Sequence, residues 1–322
     1  MTVDHVSGLR PDEQEHISPP SQIPWHQDLK RHWQLYLMTL PAILALLVFG
    51  YGPKFGVAIA FIDYSPVRGV FKSEWVGLEW FKAAFKNPFF LPALRNTVII
   101  KTLQTIVGFP SAIILALLLN EVRFKWFKRT VQTATMMPYF ISWVIAGTMF
   151  RALLSPSGVI NEITQYFFGT EPRVFLSDPV MFRWIIVFQD TWKFCGYFAV
   201  LYLAAMSAID PTLYEAAMVD GANRWQQTWH ITLPGIRPTM VTLFIILTGY
   251  LIVGSFEQIY VMYNVSVYST ADILETLTLR LGLNRTQYSL ATAMGLFQGI
   301  ISFALVFATN QLAKRFQQAS LF

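Results

Sequence analysis

The residues of this sequence best suited to chemistry fall into two groups. The first lies in the polar stretch 207–239, SAIDPTLYEAAMVDGANRWQQTWHITLPGIRPT, where Glu215 stands beside Ala216 and Ala217 and is followed by Asp220 and Gly221. The small methyl side chains leave a low surface beside the carboxylate, and no nucleophile, base or metal constellation accompanies it. The second group consists of ionisable and amide side chains embedded in apolar runs: Lys101 and Gln104, then Gln189, Asp190 and Lys193, then Glu257 and Gln258. Such groups are costly in an apolar medium unless they pair or face a cavity, so each is a candidate site. Other chemistries are missing. No Gly-Lys pair occurs, so there is no phosphate loop of the Gly-Lys-Ser/Thr kind. His5, His16, His26, His32 and His230 form no His-Glu-x-x-His pair, Cys195 is the one cysteine, and there is no Gly-x-Ser-x-Gly elbow. The chain is therefore expected to be no enzyme and to hold no metal; the energy for any active process must come from another polypeptide.

The elements that position these residues are membrane spans. The 322 residues are 54% hydrophobic and 16% aromatic but only 13% charged, against about 25% charged in a soluble globular chain. A membrane helix needs about 20 mostly apolar residues, because it must satisfy its own backbone polar groups. Six segments qualify: Leu35–Ile62, Leu94–Leu119, Thr133–Leu154, Phe182–Met206, Met240–Tyr263 and Leu290–Leu312. They form one domain over 35–322, behind a polar, Pro-bearing tail, 1–34. The first apolar block is too long and too far from Met1 for a cleaved signal peptide. Lys30 and Arg31, then Arg123, Lys125, Lys128 and Arg129, then Lys314 and Arg315 mark three cytoplasmic regions, with both termini inside. The first outer loop cuts against this with Arg68, Lys72, Lys82 and Lys86, partly offset by Glu74 and Glu79. The formal charge of +5 is scattered between apolar blocks without a basic stripe, so no nucleic acid is expected as a partner. No inverted repeat is evident.

The stretch 207–239 carries its own folding instructions. Asp210 can cap a helix whose first position is Pro211, and Gly221 supplies a left-handed stop, which predicts a helix over Pro211–Asp220. A second helical stretch, Arg224–Thr232, is expected to stop before Leu233 and Pro234. The result is a compact helix-turn-helix on the cytoplasmic side.

The same stretch resembles the membrane subunits of bacterial ATP-binding-cassette importers. Their signature is Glu-Ala-Ala, three residues, Gly, nine residues, then Ile-x-Leu-Pro, and Glu215, Ala216, Ala217, Gly221, Ile231, Leu233 and Pro234 match it at full spacing. Stretches such as VGLEWFKAAF, FPSAIILALLLNEVRFKWFKRTVQT and FEQIYVMYN look like the polysaccharide branch of the carbohydrate permeases, and within it like permeases of alginate-type uronate importers. The resemblance implies an all-α integral membrane permease of six transmembrane helices, with a cytoplasmic coupling helix between the fourth and fifth spans, in the bacterial cytoplasmic (inner) membrane. It implies four kinds of partner: a second homologous permease, two ATPase subunits that bind ATP and Mg, an extracytoplasmic solute-binding protein, and a sugar or oligosaccharide substrate. Glu215 would meet a basic residue of the ATPase, the alanines would allow close approach and Gly221 would make the turn. A plain interfacial helix would instead favour Lys and Arg opposite bulky apolar residues. The rival function, a stand-alone ion-coupled secondary transporter or channel, explains the spans and buried charges but leaves the Glu-Ala-Ala loop without a purpose.

Sugar pathways combine aromatic faces, which cover the C–H faces of the rings, with amides and carboxylates that bond hydroxyls. Trp143, Trp192, Tyr197, Tyr250 and Tyr260 lie near Gln189, Asp190, Lys193 and Glu257 in the sequence, and the fourth span concentrates them. Both readings of Asp190 and Lys193 stand: a self-neutralising pair three residues apart, or members of the pathway in which Lys193 offsets uronate carboxylates. The aromatics are equally placed for lipid-facing or packing roles, and Lys101 for snorkelling outward. Pro110 and Pro138 are expected to kink the second and third spans.

Overall fold

The computed structural model describes residues 29–315, so most of the tail assigned to 1–34 lies outside the described residues. The chain divides into two compact units, Met1–Gly56 and Val57–Phe322. In the first, α1 (Trp33–Ala45) runs through Pro41 and continues as a π turn, Leu46–Tyr51, with no buried side chain.

Among the described residues of the second unit the regular elements are all helical, apart from one isolated bridge between Ile62 and Trp75. A short amphipathic helix, α2 (Glu79–Lys86), leads into α3 (Phe90–Glu121), which passes unbroken through Pro110. Next come α4 (Lys125–Met136), a single 3₁₀ turn Met137–Phe140, and α5 (Trp143–Leu153). A further helix, α6 (Val159–Phe168), precedes α7 (Pro179–Ser207). Then follow α8 (Pro211–Val219), α9 (Arg224–Gln227), α10 (Leu233–Gly249) and α11 (Phe256–Met262). Last are the short α12 (Tyr268–Ala271) and α13 (Leu274–Leu279), and the long α14 (Tyr288–Arg315).

Four stretches are long and apolar enough to cross a membrane: Trp33–Phe61, Phe90–Glu121, Arg224–Gly249 and Tyr288–Arg315. Two bent pairs, Lys125–Phe140 with Trp143–Leu153 and Pro179–Ser207 with Pro211–Val219, bring the number to as many as six. Helix α3 organises the packing. Its Phe90 and Ala93 join α13 and α14 through Leu274, Leu277, Leu290 and Met294. Farther along, Ile100 meets Ile186 of α7, and Ala112 and Ala116 meet Ala199 and Tyr202. Residue numbers rise together on α3 and α7, so these helices run side by side in the same direction. Small residues at the contact let the two backbones approach closely, as helix pairs in lipid require.

Three sequence expectations change. The stretch expected as the third span is two helices meeting at 104°: Pro138 is the second residue of the 3₁₀ turn and Ile141 takes an extended backbone. Pro110, by contrast, makes no break in α3. The second loop helix does not stop before Pro234; α9 passes through a π turn, Thr228–Thr232, straight into α10. There the Leu233 N–H reaches back five residues to the Thr228 carbonyl, and this wider turn accommodates a proline that would otherwise end the helix. Finally, the segment expected as one fifth span ends as helix at Gly249, and α11 is a separate piece beyond a bend at Leu251–Gly254.

Candidate translocation cavity and coupling loop

A cavity of about 590 Å³ opens between α3, α7 and α10. Its polar lining comes from Lys101, Gln104 and Thr105 on α3 and from Asp190 and Thr191 on α7, and its aromatic lining includes Tyr139, Phe194, Tyr197 and Tyr250. Tyr139 and Tyr197 stack face to face, centroids 4.1 Å apart and planes 8° from parallel. Lys101 and Asp190 line the same space. Of the residues expected in the pathway, the structure therefore gathers Asp190, Tyr197 and Tyr250 at the cavity, and adds Lys101, Gln104 and Tyr139.

The others lie elsewhere. Gln189 is fully buried in a chain of amides: Gln258 Nε2 donates to Gln189 Oε1 at 3.1 Å and to the Ile186 carbonyl at 2.8 Å, and Gln104 Nε2 donates to Gln258 Oε1 at 2.9 Å. Ser255 Oγ completes it by donating to Gln104 Oε1 at 3.2 Å. This chain joins α3, α7 and α11 across the core and meets the cavity at Gln104. Trp192 packs edge-to-face on Phe150, 5.4 Å away, as a core residue. Glu257 and Tyr260 are exposed on α11, and Tyr260 stacks on Phe256 at 5.1 Å.

Lys193 departs most from expectation. It forms no ion pair with Asp190 among the described residues. Its ammonium instead donates to the carbonyls of Pro138 at 3.2 Å, Tyr139 at 3.1 Å and Ile141. Trp143 presents its ring 5.2 Å from the same ammonium. Only 5% of Lys193 is exposed. The sequence did carry a sign of this arrangement in Pro138, since a proline that breaks a membrane helix leaves carbonyls in need of donors.

At the far end of α7 the chain turns through 71° into α8. Asp210 Oδ1 accepts from the Thr212 N–H at 2.9 Å, with Pro211 at the first helical position as expected. These Thr212 contacts hold the Asp210 carboxyl below its ordinary value. The helix ends one residue earlier than expected, at Val219, and Gly221 takes φ +79°. The Ala222 N–H reaches back to the Ala217 carbonyl at 2.8 Å, which closes the left-handed stop. A reciprocal cap follows, with Asn223 Oδ1 accepting from Gln226 N–H at 2.9 Å and Gln226 Oε1 from Asn223 N–H at 2.8 Å. Tyr214 and Thr232 share a hydroxyl hydrogen bond of 2.9 Å, which joins the loop's first helix to its π turn. Glu215, Ala216 and Asp220 are exposed, and Ala217 and Ile231 are half-buried. Arg224 pairs with Glu121 at 2.5 Å, so the loop sits at the same end of the helices as Arg123, Lys125 and Lys128.

A family model described as the binding-protein-dependent transport system inner membrane component matches residues 108–320. The chain is 44% identical to the protein LplB of Bacillus subtilis (strain 168) over 301 residues, 93% of this chain and 94% of that one. It is 42% identical to the polygalacturonan/rhamnogalacturonan transport system permease YteP of the same organism, over 89% of this chain and 90% of that one. Its fold superposes with a TM-score of 0.83 and 38% identity on a chain from the crystal structure of a bacterial ABC transporter involved in the import of the acidic polysaccharide alginate, covering 90% of this chain and 98% of that one. A second structure of an alginate transporter, in complex with an alginate pentasaccharide-bound periplasmic protein, superposes equally well. The chain, with its helical spans, its cavity and its Glu-Ala-Ala loop, therefore belongs to the binding-protein-dependent transport system inner membrane components.

Proposed function

We propose that this chain is the permease subunit of an ATP-binding-cassette importer that moves an acidic oligosaccharide inward through the cavity between α3, α7 and α10. The observation that carries this reading is the continuity of α7 from cavity to loop. One helix holds Asp190 and Tyr197 at the cavity and then turns into α8, where Glu215 and Ala216 are exposed and Glu215 has no ion-pair partner among the described residues. A force applied at Glu215 by a separate ATPase would be transmitted along that helix to the cavity wall. A transporter working alone has no use for such a lever.

The cavity suits a sugar. Aromatic rings offer flat faces, Gln104, Thr105 and Asp190 offer hydroxyl partners, and Lys101 offers a cation for a carboxylate; the volume lies in the usual range for ligand pockets, about 300–1,000 Å³. The acidic cargo rests on the names of the relatives, whose substrates include polygalacturonan and alginate. A second permease would close the cavity's open side, two ATPases holding ATP and Mg would dock at the loop on the cytoplasmic face, and an extracytoplasmic binding protein would deliver the cargo. In this arrangement the six spans leave both termini on the cytoplasmic side of the membrane.

The test is ATP-driven uptake by the complete complex in liposomes, with oligogalacturonate, oligoalginate and a neutral maltooligosaccharide as cargo. Glu215→Lys is expected to lower uptake at least tenfold while the subunit still inserts. Lys101→Met should depress uptake of the two uronate probes more than that of the neutral one. Normal ATP-driven uptake by Glu215→Lys would refute the coupling role, and a preference for the neutral probe would refute the acidic cargo.

A further inference from the structure

We propose that Lys193 is a positioning residue: its ammonium clasps the broken third span and thereby sets the wall of the cavity at Tyr139. The break at Met137–Ile141 leaves carbonyls that no N–H of the same helix can reach, and lipid offers no donor in their place. Lys193, midway along α7, donates to two such carbonyls, those of Tyr139 and Ile141, and to that of Pro138, which also accepts from the Ile141 N–H at 3.2 Å. An ammonium has three protons and three donor directions, so the clasp uses all of them. The carbonyl end of α4 carries partial negative charge, which a cation stabilises. Trp143, the first residue of α5, places its ring 5.2 Å from the ammonium, so one charge holds both sides of the break.

The neighbouring backbone is built to bring these groups together. Gly196 lies three residues beyond Lys193, and a Cβ there would stand 2.1 Å from the Thr135 carbonyl oxygen. Only glycine lets α4 approach α7 this closely, and that approach brings the carbonyls of 138–141 within reach of Lys193. The consequence for the cavity lies in Tyr139, whose own carbonyl is clasped and whose ring stacks on Tyr197 at 4.1 Å, both rings lining the cavity. Lys193 itself is absent from the lining and nearly fully buried. It thus acts on the cargo through Tyr139, while Lys101 is the cation that faces the cavity.

This inference rests on the transport reading for its functional half and on none of it for its structural half, so the experiment has two arms. In the assembled complex in nanodiscs, hydrogen exchange of the amides at 139–145 is expected to quicken at least tenfold in Lys193→Met and to stay within threefold of wild type in Lys193→Arg, which keeps donors and charge. In liposomes, Lys193→Met and Tyr139→Ala are each expected to cut uptake at least fivefold, equally for uronate and neutral probes, and the double variant to be no worse than either single one. Unchanged exchange in Lys193→Met overturns the clasp, whatever the cargo proves to be. Independent, multiplying losses for Lys193→Met and Tyr139→Ala, or a loss confined to uronate probes, overturn the positioning role and make Lys193 a cargo contact. Should Lys193→Met fail to assemble, Lys193→Gln, which keeps two donors without the charge, takes its place: intermediate exchange and uptake are expected, and wild-type values for both would overturn the proposal.

Discussion

The loop 207–239 and the core around Lys193 and Gln258 both rely on polar side chains and hold them in opposite ways. Between loop residues, partners are close in sequence: Asp210 bonds the amide two residues on, and Asn223 and Gln226 bond each other across three, while Arg224 ties the loop to Glu121 of α3. In the core, Gln104 reaches Gln258 across 154 residues, Gln258 reaches Gln189 across 69, and Lys193 reaches Ile141 across 52. The loop can therefore keep its shape while its outer face stays open to another protein. The core has that capacity only when several helices are docked. A surface that must grip a partner is best self-folded, whereas a cavity wall that must move can depend on contacts between separate helices.

The sharpest way to break this contrast is Gly196→Ala. A methyl 2.1 Å from the Thr135 carbonyl forces α4 away from α7, and overpacking of this kind costs about 1–3 kcal/mol before the lost Lys193 contacts are counted. Thermal unfolding of the detergent-solubilised complex should show a large drop in midpoint, while exchange protection of the loop amides near 210–226 should survive in the fraction that remains folded. A smaller effect is expected for Gln258→Leu, which strands Gln104 and Gln189 in the core; unsatisfied buried amides cost about 1–3 kcal/mol, reduced towards about 1 kcal/mol where other helices supply substitutes. The same melting experiment checks it, and a midpoint equal to wild type would show that the amide chain is dispensable. The smallest effect concerns pH. Because Asp210 is held below the ordinary carboxylate value in the folded loop, its cap contributes above that ordinary value, about 3.9, and is lost as pH falls through the folded value. Exchange at Thr212 should therefore quicken below about pH 3.9 in wild type relative to Asp210→Asn, which retains an acceptor without titrating.

Much of the loop was legible from residue order. Asp210, Pro211 and Gly221 each state a local backbone requirement, and the helix they predicted appears within one residue of its expected end. The failure at Leu233–Pro234 has a local cause as well, since a π turn can carry a helix past a proline and has no composition of its own. The polar residues at depth were legible as a set but not in their roles. Asp190 and Lys193 are three apart on one helix and look self-paired, yet Lys193 turns to the break in the third span and Asp190 to the cavity with Lys101. Tyr139 was missed as a cavity residue because its position depends on that break.

What the sequence determined alone is whatever a chain settles within a few residues or by composition: apolar runs long enough for spans, the capped helix of the loop, and the lack of a Gly-Lys-Ser/Thr phosphate loop. Only the tertiary structure decided where α3 and α7 lie against each other, which charge faces the cavity and which one holds a broken helix together. The physical reason is that backbone caps and hydrophobic runs act over one or two turns, whereas a buried ammonium or amide takes whichever partners the packed helices bring within about 3 Å, and those partners belong to segments far away along the chain.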